Sequence, residues 1–129
     1  MKIISPTGKG VRNDSAGHGY YGAKRGTRLH MGMDFLCEYS QDVVSPIDGF
    51  IERIAYPYAG NRDYKGLVIR GQQLTVKLFY VAPWEFLIGT EIKQGDVIGL
   101  AQDISAKYGG DMLPHIHLSI VAMDPELLL

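Results

Sequence analysis

Two short stretches of the sequence hold side chains whose types and spacing could do chemistry. The first is His115-Ile116-His117, inside Pro114-His-Ile-His-Leu-Ser-Ile-Val121. Successive side chains of a β-strand point to opposite faces. His115, His117, Ser119 and Val121 then share one face, and Ile116, Leu118 and Ile120 the other. The apolar face suits a core, and the other presents two imidazoles one pleat repeat apart. The second stretch, His30-Met-Gly-Met-Asp34, adds a third of the chain's 4 histidines. Zinc takes His nitrogen and carboxylate oxygen in tetrahedral geometry, and catalytic zinc sites keep three protein ligands with one position open for water. His30, Asp34 and one histidine of the 115/117 pair would supply that set. The other histidine would act as general base or hold the water. Each pattern alone is ordinary, because a single strand histidine is usually a hydrogen-bonded or surface residue and His-x-x-x-Asp recurs by chance. Their combination in a histidine-poor chain carries the reading.

The elements that must position these residues read as short strands. Residues 1–29 are rich in Gly, Ser, Asn, Asp and basic residues without helical or strand period, and are expected to form an irregular arm over a β core at 30–129. Tyr20 and Tyr21 in it would anchor the arm or line a cleft. His30 to Cys37 reads as a loop entering a short strand, with Gly32 allowing close backbone approach. Strands are also expected at 50–56 and 66–70, with a polar loop at 58–66. A long strand, Leu74 to Val81, is expected to put Leu74, Val76, Leu78 and Tyr80 on one face. A helical turn fits 83–87, two short strands about a Gln-Gly turn fit 89–100, and a loop at 102–113 leads into the His-Ile-His strand. Strands at this spacing, with turn residues between them, predict an all-β fold: a small antiparallel sheet or sandwich core whose long loops wall a groove.

Bulk properties bound the rest. A chain of 129 residues fits one domain with a real core. A net charge of -1 makes no electrostatic case for nucleic acid or an anionic membrane surface. The sequence has no apolar run of transmembrane length and no apolar leader near its start, so neither membrane insertion nor a signal peptide is expected. Cys37 is the single cysteine, which excludes an intramolecular disulfide. The remaining candidates read as ordinary surface or packing residues: Arg25, Arg28 and His18; the turn aspartates Asp42, Asp48 and Asp63; and the aromatics Tyr58, Phe79 and Trp84.

The order Arg28-Leu-His30-Met-Gly-Met-Asp34-Phe, Val44-Ser-Pro-Ile-Asp-Gly49, Ile92-Lys-Gln-Gly-Asp-Val-Ile-Gly99 and His115-Ile-His117 resembles the lysostaphin/LytM-type zinc endopeptidases across nearly the whole chain. Asp14-Ser-Ala-Gly-His-Gly-Tyr-Tyr-Gly-Ala-Lys-Arg25, Phe35-Leu-Cys37 and Leu78-Phe-Tyr-Val-Ala-Pro83 resemble its leukocyte cell-derived chemotaxin branch. The resemblance implies a duplicated-hybrid-motif-like β core, Zn2+ held by His30, Asp34 and His117, and His115 as the catalytic histidine. Active members carry a second catalytic histidine on the long strand, where this chain has Leu78-Phe-Tyr80-Val81. The chemotaxin branch shares that replacement and is regarded as a zinc-binding signalling protein.

Tyr80 would then donate a hydrogen bond to an oxyanion while His115 serves as base; it reads equally well as a core aromatic. Cys37 lacks the partner that cysteines of the chemotaxin branch have, which points to a bacterial or bacteriophage source. Two functions follow as expectations. One is a zinc-dependent endopeptidase acting on a peptidoglycan stem peptide or crossbridge at the cell wall, carried there among virion tail proteins or released for lysis. The other is a catalytically silent zinc-binding module for recognition or assembly.

Overall fold

The computed structural model describes residues 2–10, 13–14, 17–18, 24–25, 28–29, 32–108 and 112–123. In chain order the strands are β1 (Asn13–Asp14), β2 (Gly17–His18), β3 (Lys24–Arg25), β4 (Arg28–Leu29), β5 (Met33–Leu36), β6 (Asp42–Val44), β7 (Gly49–Ala55), β8 (Gly66–Arg70), β9 (Leu74–Phe79), β10 (Val81–Pro83), β11 (Glu91–Ile92), β12 (Val97–Ala101) and β13 (His115–Met123). A 3-10 turn covers Glu85–Leu87, and a helical turn, α1, covers Ser105–Tyr108. The all-β expectation is met.

Six strands form an antiparallel sheet in the order β11-β7-β8-β9-β13-β5, and three form a second sheet, β10-β12-β6. Their side chains meet in one core. Ile51, Leu67, Ile69, Val76, Leu78 and Ile116 come from the larger sheet, and Val43, Val81 and Ile98 from the smaller. Each such residue, fully buried, stabilises the fold by about 1.5–3 kcal/mol in transfer terms. The alternation read from Leu74, Val76 and Leu78 is present as strict burial on β9. On β8, Gly66 to Ile69 are all buried, as expected of a central strand covered on both faces.

Three expectations change. The long strand does not run from Leu74 to Val81: β9 stops at Phe79, and β10 starts at Val81 in the other sheet. The break is Tyr80, at a φ of 73°, whose N–H donates to the Lys65 carbonyl at 2.8 Å. A left-handed residue ends strand alternation, so Tyr80 does not simply continue the Leu78 face. The loop at 102–113 contains the short turn α1. The segment 1–29 is not wholly irregular: β1 pairs with β2 and β3 with β4 as antiparallel ladders. Two-residue strands are too short to leave a period in a sequence.

Residues 2–10 are tied into the core as well. Val44 N–H donates to the Pro6 carbonyl at 2.9 Å, Leu36 N–H to the Gly10 carbonyl at 2.8 Å, and the Thr7 hydroxyl to the Leu36 carbonyl at 2.6 Å. The two bonds to Leu36 brace β5, and the one from Val44 fixes β6. Among the described residues no helix is long and apolar enough to cross a membrane.

Candidate metal and catalytic site

Register puts the chemistry together. β13 lies between β5 and β9, and His117 stands directly opposite Asp34 on one side and Phe79 on the other. His117 Nδ1 lies 2.6 Å from Asp34 Oδ1, a charge-assisted bond from ring N–H to carboxylate. The imidazole stacks on the Phe79 ring at 6.3 Å between centroids and 22° between planes. Phe79 in turn stands opposite Gly66, where a Cβ would lie 2.8 Å from its ring. The missing side chain on β8 is thus the space the ring occupies. Gly32 closes the remaining side: a Cβ there would lie 2.9 Å from His117 Nε2 and collide with the Leu118 carbonyl oxygen. With Nε2 against that backbone, Nδ1 is the nitrogen that faces Asp34.

Asp34 is only 2 % exposed. Burying a carboxylate requires partners, and it has two imidazoles. His115 Nε2 lies 3.8 Å from Asp34 Oδ2. His115 is itself buried, and its Nδ1 lies 2.8 Å from the Leu113 carbonyl oxygen. A carbonyl only accepts, so Nδ1 carries the proton and, in the neutral ring, Nε2 carries the lone pair. The two histidines therefore differ in environment as the pleat alone could not require: His117 bonds the carboxylate through Nδ1, and His115 turns Nδ1 to the backbone.

Tyr80 closes the site from the end of β9. Its ring meets His115 edge to face at 5.4 Å and 86°. Its hydroxyl lies 3.2 Å from the Tyr58 hydroxyl, and Tyr64 packs edge-on against both rings. Tyr58, Tyr64 and Phe79 read as plain packing residues or not at all in the sequence, because no spacing rule links positions 58, 64 and 80. The structure thus brings together Asp34, His115, His117 and Tyr80. His30, the remaining expected ligand, lies outside the described residues.

The donor set fits zinc as far as it is described. A buried carboxylate oxygen and an imidazole nitrogen aimed at each other are both ordinary zinc ligands. Among the described residues no group of three or more His, Cys, Asp or Glu is disposed to hold a metal ion; Asp34 and His117 are two donors, and a third has to come from elsewhere.

No protein-family model matches the chain. Leukocyte cell-derived chemotaxin-2 of Bos taurus is 33% identical to it over 106 residues, which cover 81% of this chain and 68% of that protein. The chain belongs to the leukocyte cell-derived chemotaxin family. The Mus musculus member matches to the same extent. An uncharacterized metalloprotease of Haemophilus influenzae is 27% identical over 90 residues, 70% of this chain and 18% of that protein.

Solved structures place this chemotaxin relative on the lysostaphin/LytM-type fold. A putative peptidase M23 from Pseudomonas aeruginosa superposes with a TM-score of 0.61 at 17% identity, over 92% of this chain and 44% of that one. A zinc containing peptidase from Vibrio cholerae gives 0.63 at 22% identity, over 97% and 41%. The catalytic domain of lysostaphin from Staphylococcus simulans gives 0.57 at 20% identity, over 87% and 89%. The chain thus spans less than half the length of the first two of these structures. At these identities the likeness is one of fold.

Proposed function

We propose that this chemotaxin-family chain is a zinc-dependent endopeptidase that cuts a peptide bond in bacterial peptidoglycan, in a stem peptide or a crossbridge. The observation that carries the proposal is the unequal use of the histidine pair. His117 is aimed at Asp34 through Nδ1, as a ligand pair would be, while Nδ1 of His115 bonds the Leu113 carbonyl and its Nε2 faces Asp34 Oδ2 at 3.8 Å. His30, Asp34 and His117 would hold the ion. Bound there, zinc supplies a Lewis acid for the scissile carbonyl and lowers the pKa of water to about 7.

The chain's own groups do the rest. His115 Nε2 takes a proton from the attacking water and returns it to the leaving amine. Asp34 Oδ2, at 3.8 Å, stabilises the imidazolium between those two events. The Tyr80 hydroxyl donates to the developing oxyanion. A virion or lysis role is the delivery route this reading favours for reaching the wall.

A second reading is favoured by the tyrosine at position 80 and by the identity to a chemotaxin: a silent zinc module, whose ion ties residues 30–34 to β13. The test is digestion of crosslinked peptidoglycan by the purified, zinc-loaded protein. Cleavage that disappears in His115→Ala supports the endopeptidase. Stoichiometric zinc without cleavage of glycine-bridged or directly crosslinked walls supports the module, and zinc content unchanged in His117→Ala removes both.

A further inference from the structure

The tyrosines around Tyr80 form a built arrangement that the zinc chemistry does not use. Tyr58 sits in the loop between β7 and β8, and its hydroxyl lies 3.2 Å from that of Tyr80. Tyr64, in the same loop, meets the Tyr58 ring at 6.1 Å and the Tyr80 ring at 6.2 Å, close to perpendicular in both cases. The loop is fastened on both sides of the cluster. The Tyr64 hydroxyl donates to the Asp103 carbonyl at 3.1 Å. The Gln102 side chain accepts from Lys65 N–H and donates to the Asp63 carbonyl, each at 2.8 Å. The Lys65 carbonyl accepts from the backbone N–H of both Tyr80 and Val81. These bonds fasten the loop and the backbone at Tyr80, a residue in a conformation that aromatic residues seldom adopt, while Tyr58 meets its hydroxyl.

We infer that Tyr58 is a positioning residue for Tyr80: the contact between their hydroxyls holds the Tyr80 phenol where its ring meets His115, beside the bond being cut. This rests on the endopeptidase reading for its kinetic consequence, though not for the contact itself. Lys107 Nζ lies 4.5 Å from the centre of the Tyr58 ring, a cation–π contact that helps hold that ring in place. Hydrogen bonds in such a cluster reinforce one another, so the contact between the two phenols sharpens the bond Tyr80 can make.

The test compares Tyr58→Phe, Tyr80→Phe and the double variant, zinc-loaded, on a crosslinked peptidoglycan digest. Removing one oxyanion donor costs about 10²–10³ in rate, so Tyr80→Phe is expected near the low end of that range. Tyr58→Phe is expected to lower kcat about 10-fold with KM within about twofold, because a donor is misaimed and substrate binding is untouched. The double variant should be no slower than Tyr80→Phe alone, since residues acting through one another are not additive. An unchanged kcat in Tyr58→Phe, or losses that multiply in the double variant, overturns the inference.

A second measurement stands apart from activity. In protein labelled with ¹³C at the tyrosine ring, Tyr58→Phe should move the Cζ resonance of Tyr80. If wild type cleaves no wall and the resonance still moves, the endopeptidase reading falls while the positioning contact holds. A resonance that stays in place overturns the positioning itself.

Discussion

Tyr80 and Cys37 show how differently two side chains near one site can be constrained. A non-glycine residue in the left-handed region costs about 1–3 kcal/mol and persists only where its surroundings impose it. At Tyr80 the imposing groups are the Lys65 carbonyl, Tyr58 and Tyr64. Cys37, just after β5, is buried in the core cluster. Burial, with Asp103 as a lesser cause, pushes its thiol up from 9.0 to about 12. A thiol is nucleophilic as thiolate, so at pH 8 iodoacetamide should leave Cys37 unmodified in the folded protein and alkylate it once urea unfolds the chain.

The raised pKa also has a sign for stability. Between pH 9 and 12 the native thiol keeps a proton that the unfolded one has lost, so this contribution falls as pH rises through that window. The urea midpoint should therefore decline from pH 9 upward, and less steeply in Cys37→Ala. A decline of equal slope in both proteins would count against it.

At the scale of elements, β13 carries both the core and the chemistry. Ile116 and Leu118 point into the cluster between the sheets, and His115 and His117 point to the site. Ile116→Ala should cost about 2–5 kcal/mol, a large share of the total stability of about 5–15 kcal/mol of a domain. Urea unfolding followed by tryptophan fluorescence from Trp84 measures it. Gly32 tests the other half of the strand. An added Cβ meets both the Leu118 carbonyl and His117 Nε2. Gly32→Ala should cost about 1–3 kcal/mol as overpacking and should lower zinc content more than a core variant of equal stability does. Equal zinc in the two variants would mean that Gly32 does not set the His117 ring.

This division was legible in the alternation of 115–121. The exchange of β9 for β10 at Tyr80 was not, because the pattern of Leu74, Val76 and Leu78 continues smoothly into position 80. The break shows in the left-handed φ of Tyr80 and in its bond to Lys65.

For the molecule as a whole, Gly32 and Asp34 meet β13 because β5 adds to the edge of the six-stranded sheet. A metal bridging residues 30–34 and His117 would bind the folded chain and not the unfolded one. Ligand at 100 times its dissociation constant adds about 2.7 kcal/mol of stability. Removing the metal with a chelator should therefore lower the thermal midpoint by several degrees, and adding zinc back should restore it. A midpoint insensitive to both would argue against a bound ion.

What the sequence by itself determined was local or periodic: the strand character of the chain, the faces of β9 and β13, the turns at glycine, and the residue types able to hold zinc. These follow from side-chain alternation and backbone sterics, which act over a few residues. The tertiary structure decided the row Gly66, Phe79, His117 and Asp34 across four strands, the different bonding of His115 and His117, and the gathering of Tyr58 and Tyr64 at Tyr80. Those depend on strand register and on loops fastened far apart in sequence, and no short-range pattern encodes either.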